Sequence, residues 1–237
     1  MRLLLASKSP ARRQTLINAG ITPLVVVSEV NEDAVLTTLP GGRAFSGGTT
    51  TPADEVLALA TAKCQAVATG LLTTTGTDQL TGQPLPSNEN LIIIGCDSML
   101  ELDGRMLGKP HSPEVAVERI KEMRERDAIL WTGHYAMRLT PTQTENDSLR
   151  SVQAEAGASA STTVHFGAMT DEEIEAYVAS GEPLKVAGSF TIDSLGGPFI
   201  TGVTGDHHSV VGISLPLTRS LFTTLGVFWP DLWDHRR

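Results

Sequence analysis

The chain has 237 residues, 41% of them hydrophobic and 19% charged, which is enough apolar content for one α/β domain with a full core. A formal net charge of −9 and a pI near 5.1 exclude a general nucleic-acid binder, which carries a basic face; a small phosphorylated ligand needs only a local basic pocket and stays compatible. Cys64 and Cys96 lie far apart with no partners at metal-ligand spacing, and no segment is expected to supply the roughly 20 apolar residues of a membrane span. The opening apolar run is short and turns at once into Ser7-Lys8-Ser9-Pro10-Ala11-Arg12-Arg13, unlike a signal peptide. The expectation is a single domain over 1–237, cytoplasmic, with no membrane and no stable nucleic-acid partner.

Leu3-Leu4-Leu5 reads as a buried strand, and Pro10 behind Ser9 reads as the first turn of a helix that stops at Gly20. Val25–Ser28 is a second short strand, followed by Glu29, Glu32 and Asp33. Residues 37–51, rich in Gly and Thr, read as a surface loop; Pro52-Ala53-Asp54-Glu55 then opens a strong helix through Val67. A second loop spans 73–90, and Leu91–Ile94 is an apolar run suited to a strand buried on both faces. Asp103-Gly104 between two apolar stretches signals a hairpin. A helix is expected over 113–126 and a strand over 129–139. The Ala/Ser-rich stretch 141–160 reads as a polar surface excursion, with sheet resuming at Thr162–Phe166. Thr170 and Glu173 have capping-box spacing, and a last helix starts near Pro216. Strands mixed with helices predict a three-layer α/β fold around a mixed sheet.

Two places carry chemistry. At the first, a strand feeding a helix N-terminus points free N–H groups and a positive dipole end outward, beside Ser7, Ser9, Arg12 and Arg13. Arginine adds a fixed charge and a fork suited to phosphate oxygens, although an ordinary capped helix with surface arginines has the same pattern. The second is Gly95-Cys96-Asp97-Ser98. Asp97, read as lying at the carboxyl end of a buried strand, fits a general base, an oxygen ligand for Mg²⁺ or Mn²⁺, or the cap of a turn. Gly104 to Pro110 imitates a P-loop but is one residue short between its glycines and has Pro110 where Ser or Thr holds Mg²⁺; Lys109 can still reach a phosphate as a point charge. Lys63, between small residues on an apolar helix, points into a cleft or snorkels to the surface. Glu32 belongs to an acidic turn that is either solvated or part of a metal site.

In order along the chain, Leu4-Leu5-Ala6-Ser7-x-Ser9-Pro10-x-Arg12, Ser28-Glu29-Val30-x-Glu32, Ala60-x-x-Lys63, Gly95-x-Asp97-Ser98, Leu107-Gly108-Lys109-Pro110, Ser180-Gly181-Glu182-Pro183 and Ala187-Gly188-x-Phe190-x-Ile192 form a specific set. The sequence resembles the Maf (septum-formation) family of nucleoside triphosphate pyrophosphatases. The resemblance implies a two-lobed α/β fold with a cleft, a homodimer, and a divalent cation, Mg²⁺ or Mn²⁺. Asp97 matches the family's catalytic acid, the proton acceptor for water, and with Glu32 its acidic metal-side positions. Ser7, Ser9, Arg12, Lys63 and Lys109 match substrate-contacting positions.

Ala11, Ser98 and Asp193 stand where the subfamily acting on dTTP and UTP has Arg, Thr and Gln, so pyrimidine specificity is not inherited. An acidic Asp193 favours a base that presents N–H donors, as in a purine or a modified base. Val186 also replaces a customary Lys. The implied activity is hydrolysis of a nucleoside triphosphate to monophosphate and pyrophosphate, clearing non-standard or surplus nucleotides. The rival reading is a nucleotide- or protein-binding regulator of division with little catalysis.

Overall fold

The computed structural model describes residues 1–142 and 150–236. Its strands are β1 (Arg2–Leu5), β2 (Leu24–Val25), β3 (Leu91–Leu102), β4 (Arg105–Leu107), β5 (Asp127–Pro141), β6 (Arg150–Phe166) and β7 (Ile200–Thr204). Its α-helices are α1 (Pro10–Asn18), α2 (Glu32–Thr37), α3 (Pro52–Thr73), α4 (Pro113–Met123), α5 (Asp171–Ala179), α6 (His207–Val211) and α7 (Leu215–Thr224). The seven strands form one mixed sheet in the order β2-β1-β3-β5-β6-β7, with β4 on β3. β1 is parallel to β2 and β3; every other pairing is antiparallel. The mixed α/β sheet flanked by helices is the predicted fold class.

Local signals work as the sequence suggests. Ser9 caps α1 by accepting from the Arg12 N–H, with Pro10 at the first turn. Asp103 and Gly104, both at positive φ (50° and 69°), make the tight turn from β3 to β4. Thr170 and Glu173 close a capping box on α5.

Alternation along β3 divides the core between two helical layers. Ile92, Ile94 and Cys96 pack with Leu16 of α1 and Phe222 of α7, while Leu91 and Ile93 pack with Cys64, Val67 and Leu71 of α3. At the far end of the sheet, Leu100 and Leu130 pack with Ala116 and Ile120 of α4 and Ile174 of α5. Both cysteines are free and buried, and burial pushes both thiols upward, Cys96 to about 12.

Three expectations need correction. Residues 150–160 lie at the surface as expected but are regular strand rather than an irregular excursion: β6 starts at Arg150 and pairs along β5 from Pro141 to Asp127. Its Ala, Ser and Gly residues have weak strand propensity, but a close helix requires their small size. Ser159 donates to the Ala53 carbonyl of α3 at 2.8 Å, and a Cβ on Gly157 would lie 3.0 Å from Leu57. Residues 143–149 of that expected excursion lie outside the described residues. Second, α3, with 22 residues and an 18-residue stretch of mean hydropathy 1.4, is long and apolar enough to cross a membrane, contrary to the sequence reading. Here it lies on β3, β5 and β6, with Val56, Leu59, Ala60 and Cys64 fully buried. Third, Asp97 sits within a 12-residue strand and not at its end.

Candidate active site

The strand that ends is β1. It stops at Leu5 opposite Ile94, and β4 joins the same edge only at Leu100, so residues 95–99 of β3 have a strand on one side only, β5. Strand alternation then sends neighbouring side chains to opposite faces of this open edge. Asp97 meets Lys63 of α3, and Ser98 meets Arg12 of α1.

Close approach of α3 makes the first meeting possible. Gly133 lies directly across from Asp97 on β5, and a Cβ there would fall 2.1 Å from the Val56 carbonyl oxygen. A Cβ on Gly95 would fall 2.6 Å from the Ala60 oxygen. With hydrogen at both positions, the α3 backbone settles on the sheet. Lys63 Nζ then bonds Asp97 Oδ1, and it reaches Glu32 Oε1 of α2 at 2.7 Å. Asp97 is 8% exposed. Burial drives its carboxyl above the usual range against the pull of Lys63 and Arg12, and Glu32 pushes it further up. In Glu32, burial also acts upward, but the hydrogen bond and charge of Lys63, with Lys109 and Arg12, outweigh it and leave that carboxyl below its ordinary value.

Arg12 differs from the open fork suggested by the sequence. Its Nε donates to Gly212 O (2.7 Å), Nη1 to Cys96 O (2.8 Å) and Ser7 Oγ (3.2 Å), and Nη2 to Ser98 Oγ (3.1 Å). Four of its five N–H donors are therefore engaged within the protein. The bond to Cys96 O satisfies a carbonyl near the end of the β1 pairing. Ser98 Oγ lies 2.9 Å from Thr132 Oγ1, which donates to Ser209 O at 3.0 Å, so the hydroxyl protons run Ser98 to Thr132 to Ser209. Arg12 is a fixed charge with one donor to give, not a free bidentate clamp. Ser7 Oγ accepts from Arg12 and from the Ser9 N–H, which leaves its own proton for an incoming oxygen.

Ser7, Ser9, Ala11, Arg12, Glu32, Lys63, Asp97, Ser98, Lys109 and Asp193, the ten candidate site residues, line one cleft of about 1340 Å³; Arg13, read from the sequence as part of the same corner, does not. Lys109 is exposed and makes no direct hydrogen bond or ion pair among the described residues, though its charge reaches Glu32. The sequence reading passed over Glu182 and Lys185 as site residues, and both line the cleft. Lys185 stands one position before the site where a family lysine is replaced by Val186, a near-miss visible only as a displaced charge.

Among the described residues no group of three or more His, Cys, Asp or Glu side chains is placed to hold a metal ion. Asp97 and Glu32 do face one shared cation, the Lys63 ammonium. Two carboxylates converging on one cation suit the oxygen preference of Mg²⁺ or Mn²⁺, ions that complete their shell with water. The donor set therefore fits such an ion.

A cleft at the end of a parallel strand, where open α/β sheets bind ligands, brings the raised Asp97 carboxyl together with Arg12, Lys63 and Lys109. The family model for Maf-like proteins matches residues 2–225, and the chain belongs to that family. It is 46% identical over 233 residues to a nucleoside triphosphate pyrophosphatase of Nocardia farcinica, covering 98% of this chain and 97% of that one. Proteins of the same name from Mycobacterium ulcerans and Streptomyces coelicolor are each 46% identical, over 98% of this chain and 96% and 94% of theirs.

Proposed function

We infer that this chain is a nucleoside triphosphate pyrophosphatase, a hydrolase that splits its substrate into nucleoside monophosphate and pyrophosphate. The observation that carries the reading is the buried Asp97 on an open strand edge, between Lys63 and the pre-set charge of Arg12. The family membership and the names of its full-length relatives support it. A cleft of about 1340 Å³ exceeds the range of about 300–1,000 Å³ usual for small ligands, so a triphosphate with its sugar and base fits.

In this mechanism the triphosphate oxygens attract the Lys63 ammonium away from Asp97. The freed carboxylate, raised by burial and so more basic than an exposed one, takes a proton from water at the α-phosphorus. The water oxygen bonds to that phosphorus, the bond to the bridging oxygen breaks, and pyrophosphate leaves. Lys63 in its new place, Lys109 and the Ser7 hydroxyl stabilise charge on the phosphoryl oxygens, and Arg12, already fixed by its own hydrogen bonds, does so without rearranging. Ser9 caps α1, whose N-terminus faces the cleft. A divalent ion held by Asp97 and Glu32 would supply further neutralisation of phosphate charge.

Ala11, Ser98 and Asp193 set selectivity in this reading, with Asp193 accepting from base N–H groups. The substrates are then non-standard or surplus nucleotides, and the enzyme works in the cytoplasm as a homodimer. The binding-only reading is not favoured, because an unpaired carboxylate beside a triphosphate weakens binding. The test is hydrolysis in ¹⁸O-labelled water across canonical and modified nucleoside triphosphates. Label in the monophosphate supports attack at the α-phosphorus; inorganic phosphate with nucleoside diphosphate contradicts it.

A further inference from the structure

Residues 191–196 belong to no helix or strand, yet Thr191, Asp193 and Ser194 line the cleft. One carboxylate organises them. Glu182 accepts from Thr191 Oγ1, from Ser194 Oγ (2.6 Å) and from the backbone N–H groups of Leu195 (3.4 Å) and Gly196 (3.3 Å). Tyr177 of α5 adds a second acceptor, taking the Thr191 N–H at 3.1 Å. Gly196 packs so closely that a Cβ would lie 2.7 Å from the Tyr177 hydroxyl. Burial acts to raise the Glu182 carboxyl, but the bonds from Ser194, Thr191, Leu195 and Gly196 hold it below the usual range, so it stays ionised at neutral pH. Asp193, in the middle of the loop, is exposed and makes no hydrogen bond or ion pair among the described residues.

We propose that Glu182 is a positioning residue for substrate selectivity: by fixing the 191–196 loop it fixes where the Asp193 carboxylate meets the nucleobase. The proposal deepens the nucleotide-hydrolase reading of this cleft and rests on it. Glutamine is a poorer substitute. An amide NH₂ at the Oε2 position faces the fixed Leu195 N–H, and at the Oε1 position it gives up the bond from Gly196, whose N–H is left to Thr191 Oγ1 (3.2 Å) alone; in either orientation the charge that strengthens these bonds is gone.

The experiment compares kcat/KM across a panel of base-bearing triphosphates and on abasic deoxyribose 5′-triphosphate, for wild type, Glu182→Gln, Asp193→Asn and the double variant. The ratio between best and worst base falls about tenfold in each single variant, as expected for one lost charged hydrogen bond. The double variant falls no further, because Glu182 acts through Asp193. The abasic compound is hydrolysed at the wild-type rate throughout. Tyr177→Phe moves the ratio in the same direction and carries the test if Glu182→Gln does not fold. Unchanged base discrimination overturns the proposal, as does an equal loss on abasic and base-bearing compounds. A wild type that hydrolyses the panel without discriminating also overturns it, while leaving the hydrolase reading intact. A wild type inert on every compound, the abasic one included, removes the hydrolase reading and this inference together.

Discussion

Replacing Gly133 by Ala should damage stability and turnover through one geometric cause. The added Cβ would stand 2.1 Å from Val56 O, 2.3 Å from Val56 C and 2.6 Å from Leu57 N, all backbone atoms of α3 that no side-chain rotation can move. Ordinary carbon contacts lie near 3.5 Å, so the helix has to retreat by about 1 Å. Overpacking of this kind costs about 1–3 kcal/mol, and a backbone clash belongs at the upper end. For a chain of this length about 3 kcal/mol lowers Tm by roughly 6–12 °C. Lys63 lies about 10 Å further along the same helix and moves with it. A misplacement of about 1 Å in a catalytic group costs about 10²-fold in rate. Thermal unfolding and pyrophosphate release on the same preparation measure both effects. Wild-type Tm and turnover together would refute the packing argument. Lowered Tm with full turnover would show that α3 does not locate Lys63.

Two further outcomes follow from the titrating groups. His134 is fully buried, accepts the Ser214 N–H at Nε2 (2.8 Å) and is pushed down to about 4 by burial and by Arg12. The unfolded chain binds that proton from about pH 6.5, so stability is complete above pH 6.5 and falls as pH drops toward 4, by about 3 kcal/mol. Urea unfolding of wild type and His134→Gln across this window checks it, and parallel curves would contradict it. Lys63→Met removes the cation that lowers Asp97, so the acid limb of the kcat/KM profile shifts to higher pH, and the loss of one charged contact to the phosphates costs about tenfold or more in rate. An acid limb that stays in place would mean that Asp97 is not the titrating base.

What the sequence discloses and what it conceals divide by range. Ser9-Pro10, Asp103-Gly104 and Thr170 with Glu173 carry their instructions within a few residues, and each forms the cap or turn expected. The ten candidate site residues were legible as residues in spaced motifs, and the fold gathers them in one cleft. The engagement of Arg12 was not legible, because its partners Gly212 and Cys96 lie 200 and 84 positions away. Asp97 read as a strand terminus because the strand that stops is its neighbour β1, and register is a tertiary fact. Residues 150–160 read as loop because small residues that admit α3 have the composition of a solvated segment. Glu182 gave no chemical signal since its donors assemble only when the 191–196 loop closes around it.

The central claim is that Asp97 activates water in a triphosphate site, and Asp97→Asn tests it most directly when turnover and nucleotide binding are measured together. The account predicts that pyrophosphate release falls by about 10²–10⁴-fold, the usual contribution of a general base. Nucleotide affinity should hold or rise, since a negative charge beside the phosphates is gone. Undiminished turnover in Asp97→Asn, or a wild type that binds nucleotide and hydrolyses none of the panel, would contradict the account.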